Sequence, residues 1–107
     1  MTVQSAVMVD ALCAYPLTMV APQARKHGTW WCHLFCEPGD LDVLHGFAKQ
    51  LGLRRSYFQN SARLPHYDLT PRLRDKALRC GAQEASIFRV SAVMQRWREA
   101  NEKENKV

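Results

Sequence analysis

The segment 65–71, with the sequence PHYDLTP, places an imidazole, a phenol and a carboxylate directly before a helix-start signal. Imidazole titrates near neutral pH, so His66 can act as an acid or a base, with Asp68 as its partner. Free backbone N–H groups at a helix start favour an anion such as phosphate, and Arg72 and Arg74 add positive charge there. The segment therefore predicts half of a polar site for a phosphate-bearing ligand.

The other half of such a site must come from elsewhere in the chain. Asp10 lies in an apolar run and His33 lies in a run rich in aromatic residues, so each needs a partner if it is buried. Burying so many polar groups for structure alone is costly, which favours a shared site. We therefore predict His33, His66, Asp10 and Asp68 as catalytic candidates and expect ligand contacts from Tyr67, Gln59, His45, Arg72 and Arg74.

Two chemistries fit these residues. His33 and His66 could act as acid and base on a phosphoester without a metal. Alternatively, Asp10, His33, His66 and Asp68 could supply nitrogen and oxygen ligands to a divalent ion that activates water. The structural alternative is that Asp68 caps the helix while each histidine donates to a backbone carbonyl. No cofactor is predicted, and a divalent metal ion is the alternative.

Several familiar site types are missing from the sequence. It contains no Gly-rich phosphate loop, no His-Glu-x-x-His pair and no nucleophile elbow. Cys32 and Cys36 flank His33, but a strand would put His33 on the opposite face, and paired Cys-x-x-Cys knuckles are missing. Structural zinc is therefore not expected, and the 4 cysteines are expected to be reduced thiols.

Length and charge limit the possible classes. A chain of 107 residues suits one domain with a modest core, and its formal net charge of +5 favours anionic partners such as nucleotides or nucleic acid. The apolar opening lacks the positive start of an export signal and is interrupted by Asp10. No stretch approaches the roughly 20 apolar residues that span a bilayer. We expect a soluble cytoplasmic protein without a membrane partner.

Strand patterns alternate with helix patterns along the chain. Apolar and aromatic runs predict strands at 7–12, 30–36, 54–59 and 84–90, and a long loop at 15–29. Helical spacing and end signals predict helices from Asp40 to Gly52, from Thr70 to about Cys80, and from Ser91 to about residue 100. These elements predict a single α/β domain over 1–100, with a polar tail at 101–107. One small mixed β-sheet of about four strands would carry two or three packed helices.

Three motifs occur in a fixed order: Cys32-His33-Leu34, Leu44-His45-Gly46-Phe47-Ala48 and Pro65-His66-Tyr67-Asp68. With these motifs and Asp10, the chain resembles, over about residues 7–90, a family of short bacterial and phage proteins catalogued as domain of unknown function 4031. The resemblance implies a compact α/β domain and brings no reaction, substrate or cofactor. The loop before Trp30 is longer than the family pattern, and the helix after residue 90 lies outside the shared region.

A different class of function is also open. Arg54–Arg55 beside Tyr57 and Phe58 could bind single-stranded nucleic acid by stacking and charge, although solvated arginines next to core aromatics would look the same. The C-terminal helix could form a homodimer contact through Met94 and Trp97, or simply cover the sheet. The alternative to a phosphate-ligand protein is therefore a nucleic-acid-binding or protein-partner module without catalysis.

Overall fold

The computed structural model describes residues 6–105. Within this range, five strands and three α-helices follow in the order β1 (Val7–Val9), β2 (Cys13–Ala14), β3 (Trp30–Cys36), α1 (Leu41–Gln50), β4 (His66–Leu69), α2 (Pro71–Arg79), β5 (Gln83–Glu84) and α3 (Ile87–Asn105). Short 3-10 helices lie at Leu17–Met19, Pro22–His27 and Arg55–Tyr57. The predicted α/β class is confirmed. Residues 1–5 of the predicted domain and 106–107 of the predicted tail lie outside the described residues.

Strand β3 organises the mixed sheet. It pairs antiparallel with β1, β2 and β4, while β5 pairs parallel with β1. The register of β3 with β4 puts His33 opposite Asp68 and Phe35 opposite His66. Because successive side chains on a strand alternate between faces, His33, His66 and Asp68 share one face, and Tyr67 lies on the other.

The face opposite the histidines is the more apolar one. Leu34, Tyr67 and Leu69 are at most 1% exposed there. Helices α1 and α2 both contact β3, and they bury Leu44 and Ala77 in the same hydrophobic cluster. Each fully buried leucine contributes about 1.5–3 kcal/mol relative to an exposed one. This packing fixes β3 and β4 and so fixes the positions of the polar side chains on their other face.

Helices α1 and α2 end and begin where the local sequence predicts. Gly52 has φ +89°, a conformation that favours glycine, and Leu53 N–H donates to the Ala48 carbonyl in the turn that ends α1. Thr70 Oγ1 accepts from Leu73 N–H at 3.3 Å to start α2, with Pro71 at the first helical position. Both predicted helices are confirmed.

The predicted strand at 54–59 is wrong. The segment forms the 3-10 helix Arg55–Tyr57, and Gln59 makes an isolated bridge with His66. Tyr57 and Phe58 give the segment the aromatic composition of a strand. In the turn, however, Tyr57 faces solvent at 54% exposure, while Phe58 packs against Tyr67 with ring centroids 5.4 Å apart.

The predicted strand at 84–90 is wrong as well. Strand β5 ends at Glu84, and Ser86 Oγ accepts from Arg89 N–H at 3.2 Å, so the chain turns into α3 four residues before the predicted start. Helix α3 continues to residue 105, through most of the predicted polar tail. Trp97 Nε1 donates to the Cys36 carbonyl at 2.8 Å and thereby attaches α3 to the end of β3.

Two further segments differ from the sequence prediction. The predicted strand 7–12 stops at Val9, because the Asp10 carboxylate turns to β3 and the chain pairs again at β2. Segment 66–69, expected to be only the approach to α2, is strand β4. The long loop contains two 3-10 helices and is closed by a 2.8 Å bond from Tyr15 N–H to the Thr29 carbonyl. Within residues 6–105, no helix is long and apolar enough to cross a membrane.

A candidate His-His-Asp site

Three separate strand segments bring the four catalytic candidates together. Asp10 follows β1, His33 lies within β3, and His66 and Asp68 lie two apart on β4. The rings of His33 and His66 meet edge to face, with centroids 4.6 Å apart. Residues that are up to 58 positions apart along the chain therefore share one small region of the surface.

Asp10 fixes the orientation of His33. Its Oδ1 accepts the backbone N–H of His33 at 2.6 Å, and its Oδ2 lies 2.6 Å from His33 Nδ1. A carboxylate can only accept, so Nδ1 carries the proton and the lone pair of the neutral ring lies on Nε2. Arg74 in turn donates from Nε to the Asp10 carbonyl at 2.8 Å and from Nη2 to Glu84 at 2.9 Å. Arg74 therefore positions the backbone of Asp10.

A backbone carbonyl fixes the orientation of His66 in the same way. His66 Nδ1 lies 2.6 Å from the Leu64 carbonyl, which leaves Nε2 facing Asp68 Oδ1 at 3.3 Å. Gln59 Nε2 donates to the other carboxylate oxygen of Asp68. In both histidines the Nδ1 atom is therefore bonded to the protein, and the Nε2 atom of His66 faces Asp68 Oδ1.

The cluster can hold a cation. His33, His66 and Asp68 each contribute one nitrogen or carboxylate oxygen, and the three atoms lie within 4.8 Å of one another. The side chains are 28%, 12% and 39% exposed, so a small ligand can reach them. Two imidazoles and one carboxylate form a donor set that suits divalent first-row metal ions. Asp10 stands behind His33 and is not part of this trio.

The pair of His66 and Asp68 is electrostatically coupled. Burial lowers the pKa of His66, but its hydrogen bonds with Asp68 and the Leu64 carbonyl, together with the negative charges of Asp68 and Asp10, raise the pKa overall. Burial raises the pKa of Asp68, but its hydrogen bond and attraction to His66, together with the hydrogen bond from Gln59 and the charge of His33, hold the pKa below its usual value. Each partner therefore favours the charged form of the other.

A known protein family matches the part of the chain that contains most of these residues. The family described as Protein of unknown function (DUF4031) matches residues 19–97. The chain belongs to this family. The match contains His33, His66 and Asp68, starts after Asp10, and extends past residue 90, so the first part of α3 lies inside the family region, contrary to expectation. Searches of the curated proteins and of the solved structures gave no match.

Some of the expected ligand contacts of this DUF4031 chain lie away from the cluster. Tyr67 faces the apolar side of the sheet, where its hydroxyl lies 2.9 Å from His45 Nδ1. The ring of Phe58 packs edge-on against His45, with centroids 4.6 Å apart. Arg72 is exposed on the first turn of α2. Gln59 contacts the cluster directly, by donating to Asp68, whereas Arg74 acts on it indirectly, through Asp10.

The start of α2 offers a phosphate fewer donors than the sequence suggested. Pro71 has no N–H, and Leu73 N–H donates to Thr70 Oγ1. Thr70 is thus the cap, and Asp68 is directed to His66 and Gln59. An anion at this site would therefore depend mainly on the cluster itself.

Two contributors were missed by the sequence reasoning. The first is Tyr15, which directly follows β2, and burial raises the pKa of its hydroxyl. Its position after β2 could have suggested it as a contributor, because β2 pairs with the same strand that carries His33. The carbonyl of Leu64 has no sequence signal, since any residue could supply it.

A cleft borders the cluster on the side of Asp10. It has a volume of about 560 Å³ and is lined by Asp10, Ala11, Glu84, Ala85, Ser86, Ile87 and Val90. Both carboxylate oxygens of Asp10 are bonded to His33. The cleft therefore lies beside the cluster of His33, His66 and Asp68. It is lined in part by Asp10, the residue that orients His33.

Proposed function

We propose that this DUF4031 member binds a phosphate-bearing small ligand, such as a nucleotide, at the crevice formed by His33, His66 and Asp68. The convergence of two oriented imidazoles and a carboxylate on one open face of the sheet supports this proposal. The formal net charge of +5 favours an anionic ligand. Tyr15 adds a hydroxyl that could bond to a phosphate oxygen.

The same residues would permit hydrolysis of a phosphoester. One imidazole would take a proton from water as the water oxygen bonds to phosphorus. The other, in its protonated form, would give a proton to the leaving oxygen as the P–O bond breaks. The bonds from Nδ1 to Asp10 and to the Leu64 carbonyl orient both rings before a ligand arrives, which lowers the entropic cost of the step.

Thermal unfolding with a panel of nucleoside phosphates and sugar phosphates tests this proposal, in EDTA and separately in Mn²⁺. We expect at least one phosphorylated compound to raise the melting temperature of the wild type, its unphosphorylated counterpart to have no effect, and His66→Ala to abolish the shift. His27→Ala removes an exposed histidine outside the cluster and serves as the matched control. The proposal fails if no phosphorylated compound stabilises the wild type in either buffer, or if His66→Ala keeps the shift.

A second candidate is a nucleic-acid-binding or protein-partner module of bacterial or phage origin, without catalysis. Arg54 and Arg55 are exposed beside Tyr57, and the Arg55 guanidinium lies 4.8 Å from the ring centroid of Phe58. An exposed aromatic ring close to positive charge is a platform on which a base can stack. Substituting both arginines by alanine would then abolish salt-dependent binding of single-stranded oligonucleotides and leave the phosphate-compound shift intact.

Cellular setting and self-association belong to the same proposal. Cys13 and Cys80 are exposed free thiols, which fits the reducing cytoplasm. Trp97 packs inside the domain, but Ile87 and Phe88 on the first turn of α3 are 76% and 82% exposed and could pair two copies of the chain. Analytical ultracentrifugation should then show a dimer for the wild type and a monomer for Phe88→Ser.

A further inference from the structure

We infer that His33, His66 and Asp68 form a binding site for one divalent first-row metal ion. Three protein ligands leave open positions for water or for an oxygen of the bound ligand. The inference extends the proposed binding function and takes the place of the metal-free acid–base step, because the ring nitrogens that would carry the proton then bind the ion. The link between the ion and a phosphate rests on the proposed function, whereas binding of the ion does not.

The donor atoms are close to the spacing that an ion requires. Two ligands that each lie about 2.1 Å from a metal stand roughly 3.0–3.4 Å apart at octahedral or tetrahedral angles. His66 Nε2 and Asp68 Oδ1 are already 3.3 Å apart, and the third donor, from His33, lies within 4.8 Å of both. A modest inward movement of one side chain would therefore complete the set, while the register of β3 with β4 holds the backbone in place.

Each donor is also held by a second partner. Asp10 bonds His33 Nδ1, the Leu64 carbonyl bonds His66 Nδ1, and Gln59 bonds the second oxygen of Asp68. Histidines that bind metals almost always donate their other ring N–H to a carboxylate or a backbone carbonyl. Here both histidines do so, one with each kind of partner, which leaves the lone pair of each neutral ring on Nε2.

The charges around the cluster favour a cation as well. Asp10 and Asp68 bring two carboxylates, while the guanidinium of Arg74 is committed to the Asp10 carbonyl and to Glu84. A phosphate that entered without a metal would be repelled by these carboxylates. A divalent ion would offset their charge and offer a positive centre to the phosphate oxygens. The ion thus supplies the attraction that the start of α2, capped by Thr70, does not.

The donor set also narrows the class of ion. Cys32 is paired with Leu69, one position before the pair of His33 and Asp68, and therefore lies on the opposite face of β3 from His33. The cluster found among residues 6–105 accordingly contains nitrogen and oxygen donors without sulfur. Such a set suits ions from Mn²⁺ to Zn²⁺ and is poorly matched to Cu⁺, which prefers thiolates and thioethers.

Cobalt(II) titration of the untagged, EDTA-treated protein tests the inference near neutral pH. Cys13 and Cys80 are first replaced by serine, because exposed thiols could bind the ion elsewhere. We expect one equivalent of cobalt per chain, visible d–d bands without strong thiolate bands, and displacement by Zn²⁺. Removing a second partner of a metal ligand costs about 10–100-fold in affinity, so we expect that loss for Asp10→Asn and a larger one for His66→Ala and for Asp68→Ala. His27→Ala should bind as the wild type does.

Circular dichroism and melting in EDTA establish which variants fold, and if a ligand variant unfolds, the wild-type stoichiometry and spectrum decide. The metal site is rejected if the wild type shows no saturable binding, if thiolate bands dominate, or if folded His66→Ala and Asp68→Ala both keep full affinity. Cobalt binding without stabilisation by any phosphate compound would retain the metal site and reject the proposed function. Stabilisation by a phosphate compound in EDTA, with no metal bound in the cobalt titration, would retain the proposed function and reject the metal site.

Discussion

Strand β4 carries two different histidine environments on its two faces. On one face His66 meets His33 edge to face, with ring centroids 4.6 Å apart; on the other, Tyr67 bonds His45, which meets Phe58 at the same spacing and angle within a few degrees. The ring geometry is alike. The polar partners differ, because Asp10 and a backbone carbonyl orient the first pair from behind, whereas a buried hydroxyl takes the Nδ1 of His45.

The two environments act on protonation in opposite directions. Burial lowers the pKa of His45, and the positive charge of Arg55 lowers it further. Burial lowers the pKa of His66 as well, but its hydrogen bonds with Asp68 and the Leu64 carbonyl and the negative charges of Asp68 and Asp10 together raise the pKa overall. Edge-to-face packing on an aromatic ring is thus compatible with either role. The polar partners of the ring nitrogens therefore distinguish a histidine that stabilises the core from one that is available to a ligand.

The largest expected difference between the two faces is in folding stability. Tyr67 is 1% exposed and packs between His45 and Phe58, so Tyr67→Ala should lower the free energy of unfolding by about 3–5 kcal/mol. Asp68→Ala, one residue away on the open face, should cost about 1 kcal/mol or less. Urea unfolding in EDTA measures both. Comparable losses would mean that the open face is a structural part of the core.

The stability gained from metal binding should depend on the face of His66 and not on the face of His45. At a concentration 100 times the dissociation constant, an ion that binds the folded state alone adds about 2.7 kcal/mol to the free energy of unfolding. We expect this gain for the wild type and for His45→Ala, and its disappearance in His66→Ala. The measurement is urea unfolding in Co²⁺ and in EDTA, in the background without Cys13 and Cys80. A gain that depends on His45 would place the ion on the wrong face.

The parts of the fold that local sequence could predict are those with strong local signals. Strand β3 has the predicted bounds, and α2 begins at the predicted Thr70 and Pro71. The strand prediction for segment 84–90 is wrong because Ile87, Phe88 and Val90 favour strands in composition, whereas the strand that forms is the pair Gln83–Glu84, which is bonded to β1. That pairing joins positions more than 70 residues apart, which no local pattern reveals.

The site was predictable in its residue types and not in its arrangement. Asp10, His33, His66 and Asp68 could be selected as polar groups in unusual company, but their convergence depends on the long-range register that sets His33 opposite Asp68. Strand β4 itself has a period of two, with His66 and Asp68 alternating with apolar neighbours. The signals of Pro65 and of the helix start obscured it. The separation of His45 and Tyr67 from the cluster follows from the same alternation.

A smaller effect should separate the hydroxyl of Tyr67 from its ring. Tyr67→Phe keeps the packing and removes the 2.9 Å bond to His45, so the free energy of unfolding should fall by about 0.5–1.5 kcal/mol, with cobalt affinity unchanged. Urea unfolding and cobalt titration of the same preparation measure both quantities. A change in cobalt affinity would show that the two faces of β4 are energetically coupled.

The smallest effect is a pH dependence of opposite sign at the two histidines, measured in EDTA. The pKa of folded His45 lies below the ordinary value of 6.5, so the folded state binds fewer protons than the unfolded state. The contribution of His45 to stability is therefore present above pH 6.5 and is lost as the pH falls through the folded pKa. The pKa of folded His66 lies above 6.5, so its contribution is complete below 6.5 and is lost as the pH rises through its folded pKa.

Comparison of the wild type with His66→Asn and with His45→Asn separates these contributions. From about pH 8 to about pH 5.5, the stability lost in His66→Asn should grow, whereas the stability lost in His45→Asn should shrink. Asp68 adds no slope here, because its folded pKa lies below 3.8 and it stays ionised throughout. Slopes of the same sign would mean that the polar partners of the rings do not determine the two pKa values, since burial alone would lower both.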